Sequence, residues 1–177
     1  HLQAMLPDMP VLGVVSPGAA AAVAATKNQR IAVLATETTI ATNAYQRLIA
    51  AQIPHVIIHA RACSLLVALA EEGMVDNAIV RAALAHYLAG VEDEDTVLLG
   101  CTHFPVFKPL LGTLLPVGVN VVDSADSTAA VLQQLLVQEN LLKTGKASGG
   151  RVQYLVTDSI NRFQKVGEIF LGEKLSV

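Results

Sequence analysis

Short apolar segments alternate along the chain with longer segments whose apolar residues recur at helical spacing. Six segments rich in β-branched residues are predicted as strands: 11–15, 30–36, 55–60, 95–100, 119–123 and 152–157. Continuous apolar strands of this kind are typical of a parallel sheet that helices cover on both faces. The pattern therefore predicts a doubly wound α/β fold, in which ligands bind at the carboxyl ends of the strands.

Residues that cap or terminate helices mark the segments between these strands. A Ser-Pro pair at 16–17 predicts the start of a helix that ends near residue 26. Thr38 and Thr39 predict the start of another helix, running to about residue 51. Four further helices are predicted at 63–72, at 76–88, from Pro105 onward and at 158–171.

Composition and charge exclude several classes of protein. Apolar residues make up 53% of the chain and charged residues 15%, which excludes a disordered protein. The net charge of -3, with dispersed Lys and Arg, provides no basic stripe for nucleic acid. No apolar run approaches the roughly 18 residues that a membrane span requires, so neither nucleic acid nor a membrane is an expected partner.

The cysteines are the candidates for chemistry. Cys63 and Cys101 form no CxxC pair, so the sequence predicts free thiols in a reducing cytoplasm rather than a disulfide framework. Cys101 follows the strand predicted at 95–100 and precedes a predicted helix, whose N-terminus should lower the thiol pKa from about 8.5. His103 lies two residues further and can exchange a proton with the thiol. The alternative is that Cys101 is buried and only packs, with His103 incidental.

Metal binding is not predicted. Cys101 and His103 supply only two ligands of the kind that zinc prefers, and no second cluster completes a tetrahedral site. Cys63 is interpreted as a buried packing residue.

The string GCTHFP at 100–105 resembles the second cysteine motif of glutamate racemases. Other segments resemble the same family in the same order, and together they cover nearly the whole chain: VLATETTIATNAY at 33–45, RACSLLVALAEEG at 61–73, VVDSADSTA at 121–129 and YLVTDSINRFQKVGEIFLG at 154–172. The chain departs from the family's usual residues at Ser16, Ser64 and Ala68.

The resemblance implies two flavodoxin-like α/β domains that face each other across a cleft. Residues 11–120 would form the second racemase domain, which carries Cys101, and residues 121–177 would belong to the first domain. The family opens with an Asp-Ser-Gly motif and an Ala-Cys-Asn-Thr motif, and neither occurs here. We therefore expect that the chain lacks one of the two catalytic cysteines and is inactive by itself.

The resemblance also implies a reaction, the interconversion of L- and D-glutamate by two cysteines without a cofactor or a metal. Cys101 would be one catalytic cysteine and His103 would assist it. The implied contacts to glutamate fall on Thr36, Thr39, Thr102 and Glu71. A cytoplasmic location, a supply of D-glutamate for peptidoglycan and a possible homodimer are implied by the resemblance alone.

Less specific interpretations remain for the same residues. Thr36 and Thr39 can end a strand and cap a helix, and Glu71 can be a solvated helix residue. The activity also has alternatives. One is a racemase or isomerase of another compound, of the aspartate or hydantoin type, and the other is a flavodoxin-like module that binds a ligand without catalysis.

Overall fold

Four parallel strands form the centre of the molecule in the computed structural model, which describes residues 2–143 and 152–175. They are β1 (Arg30–Ala35), β2 (Ile57–Ala62), β3 (Thr96–Leu99) and β4 (Asn120–Asp123). Their order across the sheet is β2-β1-β3-β4, and all three pairings are parallel. This order is that of flavodoxin-like sheets, so the predicted doubly wound α/β fold is confirmed.

Helices connect the strands and cover both faces of the sheet. Their bounds are α1 Leu2–Met5, α2 Val15–Ala25, α3 Glu37–Ala41, α4 Ala44–Ala50, α5 Ser64–Glu71, α6 Ala78–Leu88, α7 Lys108–Leu114, α8 Ser124–Gln138 and α9 Ile160–Leu171. A 3-10 turn, Phe104–Phe107, leads into α7.

Alternate residues of the central strands belong to two separate apolar clusters. Ala32 and Leu34 of β1 pack in a cluster with residues of α5, α6 and α7. Ile31 and Val33 pack on the opposite face with residues of α2 and α4. Because successive side chains of a strand point to opposite faces, this double burial explains why β1 reads as one continuous apolar run.

Two of the six predicted strands are wrong. Residues 11–14 lead directly into α2, and residues 152–157 pair with no strand in the described part of the chain. A segment rich in strand-favouring residues becomes a strand only if an adjacent strand pairs with its backbone. The residue pattern does not show whether such an adjacent strand exists. Helix α2 begins at Val15 rather than after Ser16, with Pro17 tolerated in its first turn.

The helix predicted from Thr38 to residue 51 is divided in two. Asn43 has a left-handed backbone with φ of 52°, and it separates α3 from α4. Asn adopts this conformation more easily than most residues because its short side chain bonds locally. Helix α6 begins two residues later than the predicted position 76 and is capped by Asn77, whose side chain accepts from the amides of Ile79 and Val80.

The sheet extends past the domain limit expected at residue 120. Strand β4 continues to Asp123, whose carboxylate accepts from the first amides of α8. Helix α8 in turn packs against α2. The predicted boundary between residues 120 and 121 thus falls inside β4, which belongs to the sheet. The division into residues 11–120 and 121–177 stays a prediction.

Within the described ranges, no helix combines the length and the apolar character that crossing a membrane would take.

Candidate functional site

The candidate site lies where β1 and β3 end side by side. After β1 the chain crosses to β2 on one side, and it later returns to form β3 on the other side. Ligands of doubly wound folds bind at such a switch point, outside the carboxyl ends of the strands. Thr36 directly follows β1, and Cys101 lies two residues beyond β3.

Gly100 fixes the position of the turn that carries Cys101. Its amide donates to the Leu34 carbonyl at 2.8 Å, which continues the pairing of β3 with β1 beyond the last strand residue. A Cβ atom at this position would lie 2.6 Å from Cε2 of the Tyr45 ring. Only glycine allows the buried Tyr45 to pack this closely beneath the turn.

The Cys101 thiol is half-buried and surrounded by donors. The nearby backbone N–H groups of His103 and Phe104 and the Thr102 side chain lower its pKa, but burial outweighs them and raises the pKa above its ordinary value. The sequence predicted a lowered pKa, which is wrong. The prediction counted the helix N-terminus and left out the cost of burying a thiolate.

A chain of polar contacts leads away from this sulfur. His103 Nδ1 lies 3.9 Å from Cys101 Sγ, and His103 Nε2 lies 2.9 Å from Oε1 of Glu71. The second Glu71 oxygen accepts from Nη2 of Arg162 at 2.8 Å. The hydrogen bond from His103 is the main cause that lowers the pKa of Glu71, and the charge of Arg162 lowers it further.

Three threonines line the cavity of about 390 Å³ onto which Cys101 opens. Thr36 Oγ1 lies 3.0 Å from Thr39 Oγ1, and neither hydroxyl caps α3. Thr102 completes the set from the turn after β3. Hydroxyl groups of this kind both donate and accept, so they suit a ligand with a carboxylate and an ammonium group.

Glu71 faces a second, larger cavity of about 630 Å³, which Thr102 and His103 also line. Most of its remaining lining comes from residues 154–159 and from α9. The structure thus brings Cys101, Thr102, His103, Thr36 and Thr39 to one cavity, and Glu71 reaches them through His103.

Arg162 is the neighbour that the sequence did not reveal. It lies 91 residues beyond Glu71 in the chain. The segment that contains it, 154–172, resembles the racemase family as a whole, but no local pattern shows which carboxylate an exposed Arg will contact. Val14 and Val15 also line the smaller cavity, in a segment predicted as a strand.

Cys63 occupies the corresponding position after β2, but it lies in the apolar cluster with an exposure of 0%. Burial raises the pKa of its thiol to about 12. In residues 2–143 and 152–175, no group of three His, Cys, Asp or Glu side chains is arranged to hold a metal ion.

The fold and the site together define an α/β protein with a cysteine and a histidine side by side at the switch point of its sheet. The model of the Asp/Glu/Hydantoin racemase family matches residues 1–132. The chain belongs to this family.

Individual relatives agree with this assignment. A glutamate racemase of Neisseria gonorrhoeae is 41% identical over 170 residues, which cover 95% of this chain and 62% of the relative. A glutamate racemase isoform of Bacillus anthracis superposes with a TM-score of 0.87 at 30% identity, covering 99% of this chain and 67% of that chain. The glutamate racemase of Francisella tularensis in complex with D-glutamate gives 0.86 at 30% identity, covering 98% and 64%. This chain therefore spans less than two thirds of the curated relative's length.

Proposed function

We propose that the full-length protein interconverts L- and D-glutamate, with Cys101 exchanging the α-proton on one face of the substrate. The family, the relatives named glutamate racemase and the D-glutamate complex of one structural neighbour support this proposal. Its product would supply D-glutamate for peptidoglycan in the cytoplasm, where free thiols such as Cys63 and Cys101 persist.

The observation that carries the proposal is the placement of the Cys101 sulfur. It opens onto a cavity that Thr36, Thr39 and Thr102 line with hydroxyl groups, and His103 stands beside it. The hydroxyls would hold the carboxylate and ammonium groups of glutamate. The α-carbon would then lie within reach of the thiol.

The proposed reaction uses the thiol in both directions. As an acid, Cys101 gives its proton to the α-carbon, so the S–H bond breaks, a C–H bond forms and a thiolate remains. As a base, the thiolate takes the α-proton, and the electron pair of the broken C–H bond stays on the substrate. The opposite face requires a second acid–base group, which the family resemblance assigns to another cysteine.

The raised pKa of Cys101 suits the acid role at neutral pH. For the base role, the amides of His103 and Phe104 would stabilise the thiolate, and His103 Nδ1 would accept the thiol proton. A general acid or base works best when its pKa lies near the operating pH. By lowering the Cys101 pKa that burial raises, these contacts would bring it closer to that range.

The larger organisation belongs to the same proposal. Residues 11–120 would form the domain that carries Cys101, and residues 121–177 would contribute to a second domain across the cleft. A homodimer is the assembly that we propose for the full-length protein.

The test is exchange of the α-proton of glutamate with deuterium in heavy water, followed by NMR. We expect exchange and racemisation by the full-length protein, and a loss of about 10²- to 10⁴-fold in the Cys101→Ser variant. Cys63→Ser is the matched control and should retain exchange. The proposal fails if wild-type protein exchanges aspartate or a hydantoin but not glutamate. Absence of exchange with all three would favour a binding module.

A further inference from the structure

Arg162 extends the contacts of the site to the C-terminal helix. Glu71 is held at both carboxylate oxygens, by His103 on one side and by Arg162 on the other. These are the charged and titratable groups that face Glu71 among the described residues, His103 from the turn after β3 and Arg162 from α9. The two contacts together orient the carboxylate toward His103.

Helix α9 contacts the imidazole as well as the carboxylate. The Phe170 ring meets the His103 ring edge to face, with centroids 5.7 Å apart and an interplanar angle of 88°. The Ser159 side chain caps the helix by accepting from the Arg162 amide at 3.4 Å. One capped helix thus supplies both a charged and an aromatic contact to the pair formed by Glu71 and His103.

These contacts determine which nitrogen of His103 faces the thiol. An ionised Glu71 accepts a hydrogen bond and cannot donate one, so the Nε2 atom that faces it carries a proton. In neutral His103, Nδ1 is then the unprotonated nitrogen, and it is the atom nearest to Cys101 Sγ. A protonated Glu71 would remove this preference, and the positive charge of Arg162 opposes that protonation.

We infer that Arg162 is a positioning residue for the acid–base pair of Cys101 and His103, and that it acts through Glu71. The expected change in kcat rests on the proposed function. The expected effect on which His103 nitrogen is protonated does not depend on it. The side chain of Arg162 is 58% exposed, so its contribution should be moderate. We expect kcat to fall about fivefold in Arg162→Ala, with KM almost unchanged, because exposed ion pairs are weak.

The test combines kinetics with ¹⁵N NMR of the His103 ring in the full-length protein. In Arg162→Ala, the ring should lose part of its preference for a proton on Nε2, and the acidic limb of kcat/KM should move to higher pH as Glu71 protonates more easily. Arg162→Lys keeps the charge and should recover most of kcat. In a Glu71→Gln background, Arg162→Ala should have no further effect.

Arg81→Ala provides the matched control. It removes a surface ion pair of the same kind, Arg81 with Asp76 at 2.7 Å, and should change neither measurement. An active protein in which Arg162→Ala alters neither the His103 ring nor the acidic limb would overturn the inference. If the ring responds but wild-type protein does not racemise glutamate, the positioning role stands and the proposed function fails.

Discussion

Cys63 and Cys101 follow the two strands that flank β1 in the sheet, Cys63 after the carboxyl end of β2 and Cys101 after that of β3. Cys63 then turns into the apolar cluster and is fully buried. Cys101 stays half-buried at the cavity, where nearby amides and the Thr102 side chain act to lower the pKa of its thiol. Burial raises the pKa of both thiols. At Cys101 the backbone amides of His103 and Phe104 and the side chain of Thr102 oppose the rise, whereas at Cys63 the charge of Arg61 opposes it.

The contrast shows that a cysteine at a strand end does not necessarily open onto a cavity. β2 lies at the edge of the sheet, whereas β3 lies beside β1 at the switch point. The turn after β3 therefore meets the end of β1 and a cavity. The topology, more than the local sequence, decides which thiol lies at the cavity.

The largest expected difference between the two thiols is their rate of alkylation. At pH 8, iodoacetamide should modify Cys101 at least about 10³-fold faster than Cys63, because a thiol with a pKa of about 12 and no exposure reacts mainly after opening of the structure. Quantitative mass spectrometry of the two peptides measures both rates in one sample. Similar rates would contradict the distinction.

The next largest effect concerns Gly100, which fixes the position of the turn that carries Cys101. Gly100→Ala should destabilise the protein by about 2–3 kcal/mol, because its Cβ would overlap the Tyr45 ring in a packed region. It should also reduce activity by displacing Cys101. The matched control is Gly112→Ala in α7, where nothing lies within 4 Å of the new Cβ. Urea denaturation of both variants provides the comparison, and equal stabilities would show that the turn adapts freely.

Serine substitutions separate packing from chemistry. Cys63→Ser places a hydroxyl in an apolar cluster and should cost about 1–2 kcal/mol of unfolding free energy, with activity retained. Cys101→Ser should change stability by less than about 0.5 kcal/mol while activity is lost. The result would be inconsistent with our assignment if Cys63→Ser removed activity in a fully folded protein.

The smallest predicted effect is alkaline destabilisation through Cys63. The folded pKa is raised above the unfolded value, so the thiol's contribution to stability is complete below about pH 8.5 and is lost as pH rises toward 12. At pH 9.5 the loss should be about 1 kcal/mol relative to neutral pH. Cys63→Ala should remove this component, and identical pH dependence in both proteins would refute it.

Much of the site could be predicted because its residues follow strands. Thr36 directly follows β1 and Cys101 lies two residues beyond β3, and the strand ends of a parallel sheet share one edge. The hydrogen bond between Glu71 and His103 spans 32 residues. The family resemblance indicated the importance of both residues, but their contact depends on how α5 packs.

The features that could not be predicted depend on partners distant in the chain. Residues 11–15 and 152–157 have strand-like composition, and only the presence of a neighbouring strand would have made them strands. The pKa of Cys101 depends on burial, which the sequence around it does not report. Arg162 is one exposed Arg among several, and its distance to Glu71 follows from the position of α9.

The hydrogen bond from Gly100 to Leu34 has a consequence for the timescale of the site. This amide extends the ladder between two central strands, so we expect its hydrogen to exchange with solvent only on global unfolding. Helix α9, in which no residue is buried, should exchange through frequent local opening. The sulfur would thus stay in place for the lifetime of the folded protein, while the arginine that supports its histidine detaches and returns many times.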